Sequence, residues 1–250
     1  MDTSLYVGLS KQMILQRELE VAANNIANAD TAGFKVETMT VAADPLTPTG
    51  SPSSAPPIQY AIDTGLARNF SQGALQATGA PLDLAIDGDG FFQVSTAAGT
   101  RYTRDGRFAT NAQGQLVTQT GDPVLDASGS PINLSLTGGA PSVAADGTVS
   151  QALAGQAQGQ IVGKIGVVSF SSLSALSKTG DGLYSNNGAA PTPSTKSMVH
   201  QGMLEASNVQ PILQVTDLIR ISRAYDQLSN MMNNTADLSS RSIQRLGSVQ

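Results

Sequence analysis

Val209-Gln-Pro-Ile-Leu-Gln-Val-Thr-Asp-Leu-Ile-Arg-Ile-Ser-Arg-Ala-Tyr-Asp-Gln-Leu-Ser-Asn-Met-Met232 carries the pattern that decides the fold. Leu218, Ile221, Tyr225, Leu228, Met232 and Thr235 recur at alternating three- and four-residue spacing, which draws a heptad seam along one side of a helix. Ile212 and Val215 extend the apolar face toward the start of that helix. Ser207 or Asn208 can cap it, and Pro211 is tolerated in the first turn, where its missing N–H has no helical partner to lose. The pattern predicts a helix over Val209–Leu246, about 57 Å long at roughly 1.5 Å per residue, longer than a compact domain of this size requires.

A second helix is predicted at the other end, over Thr3–Ala29. Leu5, Leu9, Leu15, Leu19, Ala22, Ala23 and Ile26 share one side at helical spacing. Val7, Ile14 and Val21 form another row, seven residues apart. A helix with two apolar rows has two partners to satisfy, one expected inside the chain and one on a neighbouring copy. It breaks at Asn28-Ala-Asp-Thr-Ala-Gly33, a cluster of turn formers.

Between the helices the periodicity changes. Thr47-Pro-Thr-Gly-Ser-Pro-Ser-Ser-Ala-Pro-Pro57 reads as an extended linker, flanked by short strand patterns at Lys35–Ala42 and Ile58–Asp63. From Pro81 the chain alternates short apolar runs with turns. Strands are expected at Leu82–Ile86, Phe91–Ser95, Arg101–Tyr102, Phe108–Thr110, Leu116–Thr118, Ile161–Phe170 and Leu183–Ser185. Asp87-Gly-Asp-Gly90, Asp105-Gly106, Asp146-Gly147 and Gly180-Asp-Gly182 are among the turns that separate these runs. The expected fold class is α+β: long N- and C-terminal helices pairing as a coiled coil, with a β-rich central domain of short strands. The expected domains are 1–35 (first helix), 36–80 (linker and short strands), 81–201 (β-rich) and 202–250 (last helix).

Composition closes off several function classes. The 14 Lys and Arg against 19 Asp and Glu give a net charge of −5, and no basic cluster offers a footprint for nucleic acid. There is no Cys, so thiolate metal sites and Cys nucleophiles are excluded. No run of about 20 apolar residues is present to span a bilayer. The opening Met1-Asp-Thr-Ser-Leu-Tyr-Val-Gly-Leu-Ser-Lys-Gln12 lacks the basic and apolar regions of a cleavable leader. That fits either cytoplasmic residence or an exporter that reads an uncleaved segment.

Four segments carry a resemblance. Ala22-Ala-Asn-Asn-Ile-Ala-Asn-Ala-Asp-Thr-Ala-Gly-Phe-Lys35 resembles the N-terminal signature of flagellar rod, hook and hook-associated axial proteins. Leu84-Ala-Ile-Asp-Gly-Asp-Gly-Phe-Phe-Gln-Val94 with Arg101-Tyr-Thr-Arg-Asp-Gly-Arg-Phe108 is similar to the middle block of the rod and hook members. Gln113-Gly-Gln-Leu-Val117 and Gly121-Asp-Pro-Val124 continue that block. Gln201-Gly-Met-Leu-Glu-Ala-Ser-Asn-Val209 and Arg223-Ala-Tyr225 resemble the C-terminal signature.

The chain is thereby identified as a member of the flagellar basal-body rod protein family. Its length and its opening Leu5-Tyr-Val-Gly-Leu-Ser10 are most similar to the proximal-rod members, with the distal-rod members as the alternative. The resemblance implies a self-assembling subunit of the drive shaft across the periplasm. It implies terminal helices in an inner tube, a β-rich part facing outward, and type III export without leader cleavage. Expected partners are other copies of the chain, other rod proteins and the export apparatus. No cofactor is expected.

The residues expected at assembly interfaces are Leu5, Leu9, Leu19, Asn24, Asn25, Ile26, Asn28, Gly33, Phe34, Ser207, Asn208, Leu218, Ile221, Tyr225, Leu228 and Met232. The asparagine run is unusual inside a helix, because Asn competes with the helical hydrogen bonds; its amides are expected to join subunits. Gly33 is expected to supply a positive φ and Phe34 to anchor the turn.

Chemistry-bearing alternatives are weak. Asp83, Asp87 and Asp89 match a calcium loop only in their short spacing and lack its later ligands, so a solvated turn is expected. His200 is the single His and cannot build a metal site alone. The Gly88-Asp-Gly90 and Gly138-Gly139 turns lack the Lys or helix of a phosphate loop. A secreted β-rich adhesin or enzyme with trimerising ends would require clustered catalytic groups, and the sequence shows none.

Overall fold

The stop signals at Asn28–Gly33 and the start signal at Pro211 each become the end of a helix. In a computed structural model that describes residues 3–45, 59–153 and 159–247, α1 spans Thr3–Ala27 and α2 spans Pro211–Gly247. The Pro/Ser-rich run Thr47–Pro57 lies outside the described residues. The chain divides into two units, one of Met1–Ala27, Glu37–Asn69 and Val209–Gln250, the other of Asn28–Val36 and Phe70–Asn208.

The first unit holds both helices and a long antiparallel pair, β1 (Glu37–Pro45) and β2 (Gln59–Arg68). Their register runs from Glu37↔Arg68 to Pro45↔Gln59, with a slip between Thr40 and Val41. Arg68 Nε donates to Glu37 Oε1 at 2.8 Å across that first rung. The helices run antiparallel. Gln12 Nε2 donates to Tyr225 Oη at 2.8 Å, and Asn25 Nδ2 donates to Gln214 Oε1 at 3.0 Å. Nearer the start of α1, Met232 lies so close to Gly8 that a Cβ there would come within 3.2 Å of its side chain.

The expected α+β class is corrected here. Among the described residues only two α-helices stand beside seventeen strands, so the chain is mainly β with a helix at each end. The expected coiled-coil pairing is seen only in part, as antiparallel contact of α1 with α2. The reason lies in the stretch between them. Residues expected to form a linker with short strands make β1 and β2, which pack on α1. The apolar rows of α1 are thus shared between a helix and a sheet. Ile14, Leu15, Val21 and Ala22 are its buried apolar side chains, so the row read second is the better buried one.

Among the described residues the second unit holds fifteen short strands. The first eight are β3 (Leu75–Ala77), β4 (Leu84–Asp87), β5 (Phe91–Thr96), β6 (Gly99–Thr103), β7 (Ala109–Thr110), β8 (Leu116–Val117), β9 (Ser142–Val143) and β10 (Thr148–Ala152). The others are β11 (Gly159–Lys164), β12 (Val167–Ser169), β13 (Leu176–Gly180), β14 (Leu183–Asn186), β15 (Thr192–Pro193), β16 (Met198–Gln201) and β17 (Met203–Glu205). The largest sheet has the order β13-β14-β6-β5-β12-β15. β16 pairs with β4, and β17 with β3, both antiparallel.

Successive strand residues point to opposite faces, and Phe91 and Phe92 use both. Phe92 packs with Leu84, Ile86, Val94, Phe108 and Leu116 in the larger core. Phe91 packs with Tyr102, Val168, Leu176 and Tyr184 in the smaller one. Edge-to-face pairs such as Phe92–Phe108, at 5.1 Å between centroids, set the ring angles. The Asp105-Gly106 turn shows why it needs glycine: a Cβ on Gly106 would fall 1.6 Å from the Leu84 carbonyl oxygen.

Candidate functional site

The turn after α1 is assembled by its own polar groups. Thr31 N donates to Asn28 O, and Thr31 Oγ1 donates to Asn28 Oδ1, each at 3.2 Å. Gly33 has φ 69°, and its N–H reaches Glu205 O at 2.8 Å. A Cβ there would sit 2.5 Å from the Arg104 carbonyl carbon, so both conformation and space require glycine. Phe34 is 6% exposed, with the Lys178 ammonium 4.5 Å from its ring centroid. Val36 N donates to Asn208 Oδ1 at 2.8 Å, and Asn208 Nδ2 donates to Ser71 O at 3.0 Å.

Lys35 then turns inward. Its Nζ donates to Glu205 Oε1 at 2.5 Å and to Ser71 O at 2.8 Å, and neither the Lys35 nor the Glu205 side chain has any exposure. Arg104 Nη1 donates to Glu205 Oε2 at 3.1 Å and its Nη2 to Gly88 O at 2.9 Å. Gly73 N also donates to the Glu205 carboxylate, at 2.9 Å. The Arg104 guanidinium lies 5.2 Å from the Phe91 ring centroid, and its Nε is buried without a partner. One carboxylate thus serves two cations in a dry site. Burial pulls the Lys35 ammonium below its ordinary pKa, attraction to Glu205 opposes this, and Arg104 adds to the lowering. The arrangement leaves all three side chains 4% exposed or less. It holds three distant segments together, because removing one charge strands the others in low dielectric.

Sequence reasoning placed all three of these residues inside motifs and singled out none. A faint signal was present: Lys35 is a lone cation between Phe34 and Val36, and Glu205 follows Leu204. Burial of a charge has no local signature when its partner lies 170 positions away.

Apart from Asn28 and Ser207, the remaining expected residues lie in the helical unit. Asn25 is 1% exposed, and its amide copies a strand neighbour. Its Nδ2 donates to Glu37 O at 2.7 Å, and its Oδ1 accepts from Glu37 N at 3.0 Å. With the Gln214 bond, three hydrogen bonds of Asn25 stay inside the chain, where a link between subunits was expected. Asn24 is exposed, whereas Ile26, Asn28 and Ser207 are half-buried.

On α2, Ile221 is buried, and Leu218, Tyr225, Leu228 and Met232 are half-buried on the side that meets α1. The seam expected to meet other copies is therefore used within the chain. On α1, Leu19 is half-buried and Leu9 is 47% exposed; the side chain of Leu5 lies outside the described part. The helices expose a different set of apolar residues, of which only Leu9 was expected at an interface. Tyr6, Leu9 and Met13 form a stripe on α1, and Ile212, Val215 and Ile219 form one on α2, each at spacings of three and four.

His200 Nε2 lies 3.6 Å from Asp87 Oδ2 on the paired strands β16 and β4. Among the described residues, no group of three or more His, Cys, Asp or Glu is placed to hold a metal. No described helix is long and apolar enough to cross a membrane.

Three family descriptions match the chain in order. Residues 5–35 match the flagella basal body rod protein family, 85–151 the D1 domain of the flagellar hook protein FlgE/F/G, and 200–245 the C-terminal part of the flagellar basal body rod FlgEFG proteins. Lys35, Arg104 and Glu205 fall one in each matched segment. The flagellar basal-body rod protein FlgF of Caulobacter vibrioides is 51% identical over the whole of both chains. FlgF of Mesorhizobium japonicum is 38% identical over 99% of each. FlgG of Bacillus subtilis is 34% identical over 94% of this chain and 96% of its own. Ordered matches along the chain, full-length identity and a buried junction that draws one charge from each matched segment lead to one conclusion: the chain belongs to the flagellar basal-body rod protein family.

Proposed function

We propose that this chain works by polymerising as a structural subunit of the flagellar basal-body rod, not as an enzyme, so that the rod transmits torque. The observation that carries this reading is the outer apolar stripe on each helix. The inner faces of α1 and α2 are satisfied within the chain, yet Met13 is 64% and Ile212 81% exposed. Covering such side chains gains about 25 cal/mol per Å² of apolar surface, and repetition along a polymer multiplies the gain. Other copies of the chain and other rod proteins are the partners this surface suits.

A place in the proximal rod is supported by the higher identity to the FlgF relatives than to the FlgG relative. We further propose transit through the flagellar type III apparatus and work within the periplasm, a reading that family membership supports. The test is Leu9→Asp. Leu9 faces outward, so the thermal transition of the purified chain should stay within about 0.5 kcal/mol of the parent. Incorporation into isolated basal bodies, and swimming, should be lost. Wild-type incorporation of this variant refutes the reading.

A further inference from the structure

Within the helical unit, α1 and the β1–β2 pair leave a groove of about 530 Å³. Met13, Ile14, Met39 and Ile62 form its apolar lining, and Glu20 and Asp63 lie on its rim. Met13 and Ile62 keep 64% and 44% of their surface in water, so the groove is open. Glu20 meets Arg17 at 2.9 Å, but both side chains are half in solvent, where such a pair contributes little and exchanges readily.

The same unit carries a shape of the opposite kind. Ile212, Val215 and Ile219 project from the outer side of α2 as a ridge, 81%, 45% and 46% exposed. One turn further, Arg223 lies on the same side, is exposed, and has no ion pair among the described residues. The ridge is apolar and ends in a cation; the groove has an apolar lining edged by two acids, Glu20 and Asp63, and one cation, Arg17.

We infer that the Ile212–Ile219 ridge of one copy seats in the Met13/Met39/Ile62 groove of the next, with Arg223 meeting Glu20. The inference rests on the polymerisation reading and specifies its geometry. Groove and ridge occupy different surfaces of one chain, so the contact is head-to-tail. Head-to-tail contacts propagate into open helical arrays unless the rotation between copies closes a ring. The inner side of α2 is held by α1, which leaves the ridge as the face it offers outward.

The chain has no Cys, so engineered cysteines report without background. Ile62→Cys and Ile219→Cys in one chain, oxidised in isolated basal bodies, should give a ladder of dimers, trimers and higher species that thiol reduction collapses. Each single variant should give no ladder. Normal incorporation of the double variant with no ladder overturns the groove assignment while polymerisation stands; Leu9→Asp decides the latter separately. If the double variant is not incorporated, charge reversal decides. Arg223→Glu should cut incorporation about tenfold, and adding Glu20→Arg should restore most of it. Loss without restoration, or no loss at all, overturns the assignment.

Discussion

In the β unit a lysine and a glutamate lose all contact with water, while in the helical unit an isoleucine stands 81% exposed. Placed side by side, the two regions divide the work of the chain. The β unit buries even its charges, and Phe91 and Phe92 fill a core on each face of one sheet. Its two cores close within one copy, although Leu136 and Ile161 stay 65% and 76% exposed. The helical unit completes only its inner faces, through Ile221, Ile14 and the Asn25 amide, and leaves aliphatic ridges in water. A part that is finished alone supplies shape. On the proposed function, the part that leaves apolar ridges in water supplies assembly.

The comparison breaks most visibly at Glu205. Glu205→Gln keeps the shape but leaves Lys35 and Arg104 without their counter-charge, and should cost the β unit about 3–5 kcal/mol. Chemical denaturation followed by tyrosine fluorescence measures this, since Tyr102 and Tyr184 lie in that unit's smaller core. A change below about 1 kcal/mol would mean that the three charges do not depend on one another.

A smaller effect is expected in the helical unit. Asn25→Ala strands the buried N–H and C=O of Glu37, a loss of about 1–3 kcal/mol. Hydrogen exchange at the start of β1 should quicken while β5 and β6 stay protected. If exchange at β1 is unchanged and only incorporation into basal bodies fails, Asn25 acts between subunits after all.

The smallest effect concerns acid. Burial pushes the Asp126 carboxyl upward, but the Ser128 hydroxyl and the Ser128, Gly129 and Ser130 amides pull it down further, to a net position below its ordinary 3.8. A depressed carboxylate contributes stability above its unfolded pKa, and that stability is lost as pH falls toward the folded value. Asp126→Asn keeps an acceptor for the amides and removes the titration. The thermal transition of the variant should therefore fall less steeply than the parent's between about pH 5 and pH 2.5. Identical slopes would remove Asp126 from the account.

Much of this division was legible in the sequence, and its gaps have physical causes. The heptad seam located α2 to within two residues at its start, and Pro211 marked the first turn. Gly180-Asp-Gly182 marked the turn before β14, while its partner β13 was not expected. The strands β16 and β17 were missed because His200, Gln201 and Gly202 interrupt any alternation, and their pairing with β4 and β3 is long-range. Which of the two α1 rows would be covered inside the chain was left open, and the row Ile14/Val21 proves to be buried there. Periodicity shows that a face is apolar, and it does not show whether a helix, a hairpin or another molecule covers it. The buried triad escaped for a similar reason, since a charged letter in a motif reads as solvated until the fold places its partner.

The distance along the chain between Lys35 and Glu205 also bears on time. Their contact closes a loop of 170 residues, and Gly33 N to Glu205 O closes nearly the same one. Loop entropy rises only slowly with length, but it must be met before the contact returns anything, so high contact order slows folding. During synthesis the first cation and the second both precede their carboxylate. Until residue 205 emerges, burying either would leave a charge unanswered. The closing of this contact is thereby deferred until residue 205 has been made, long after both cations.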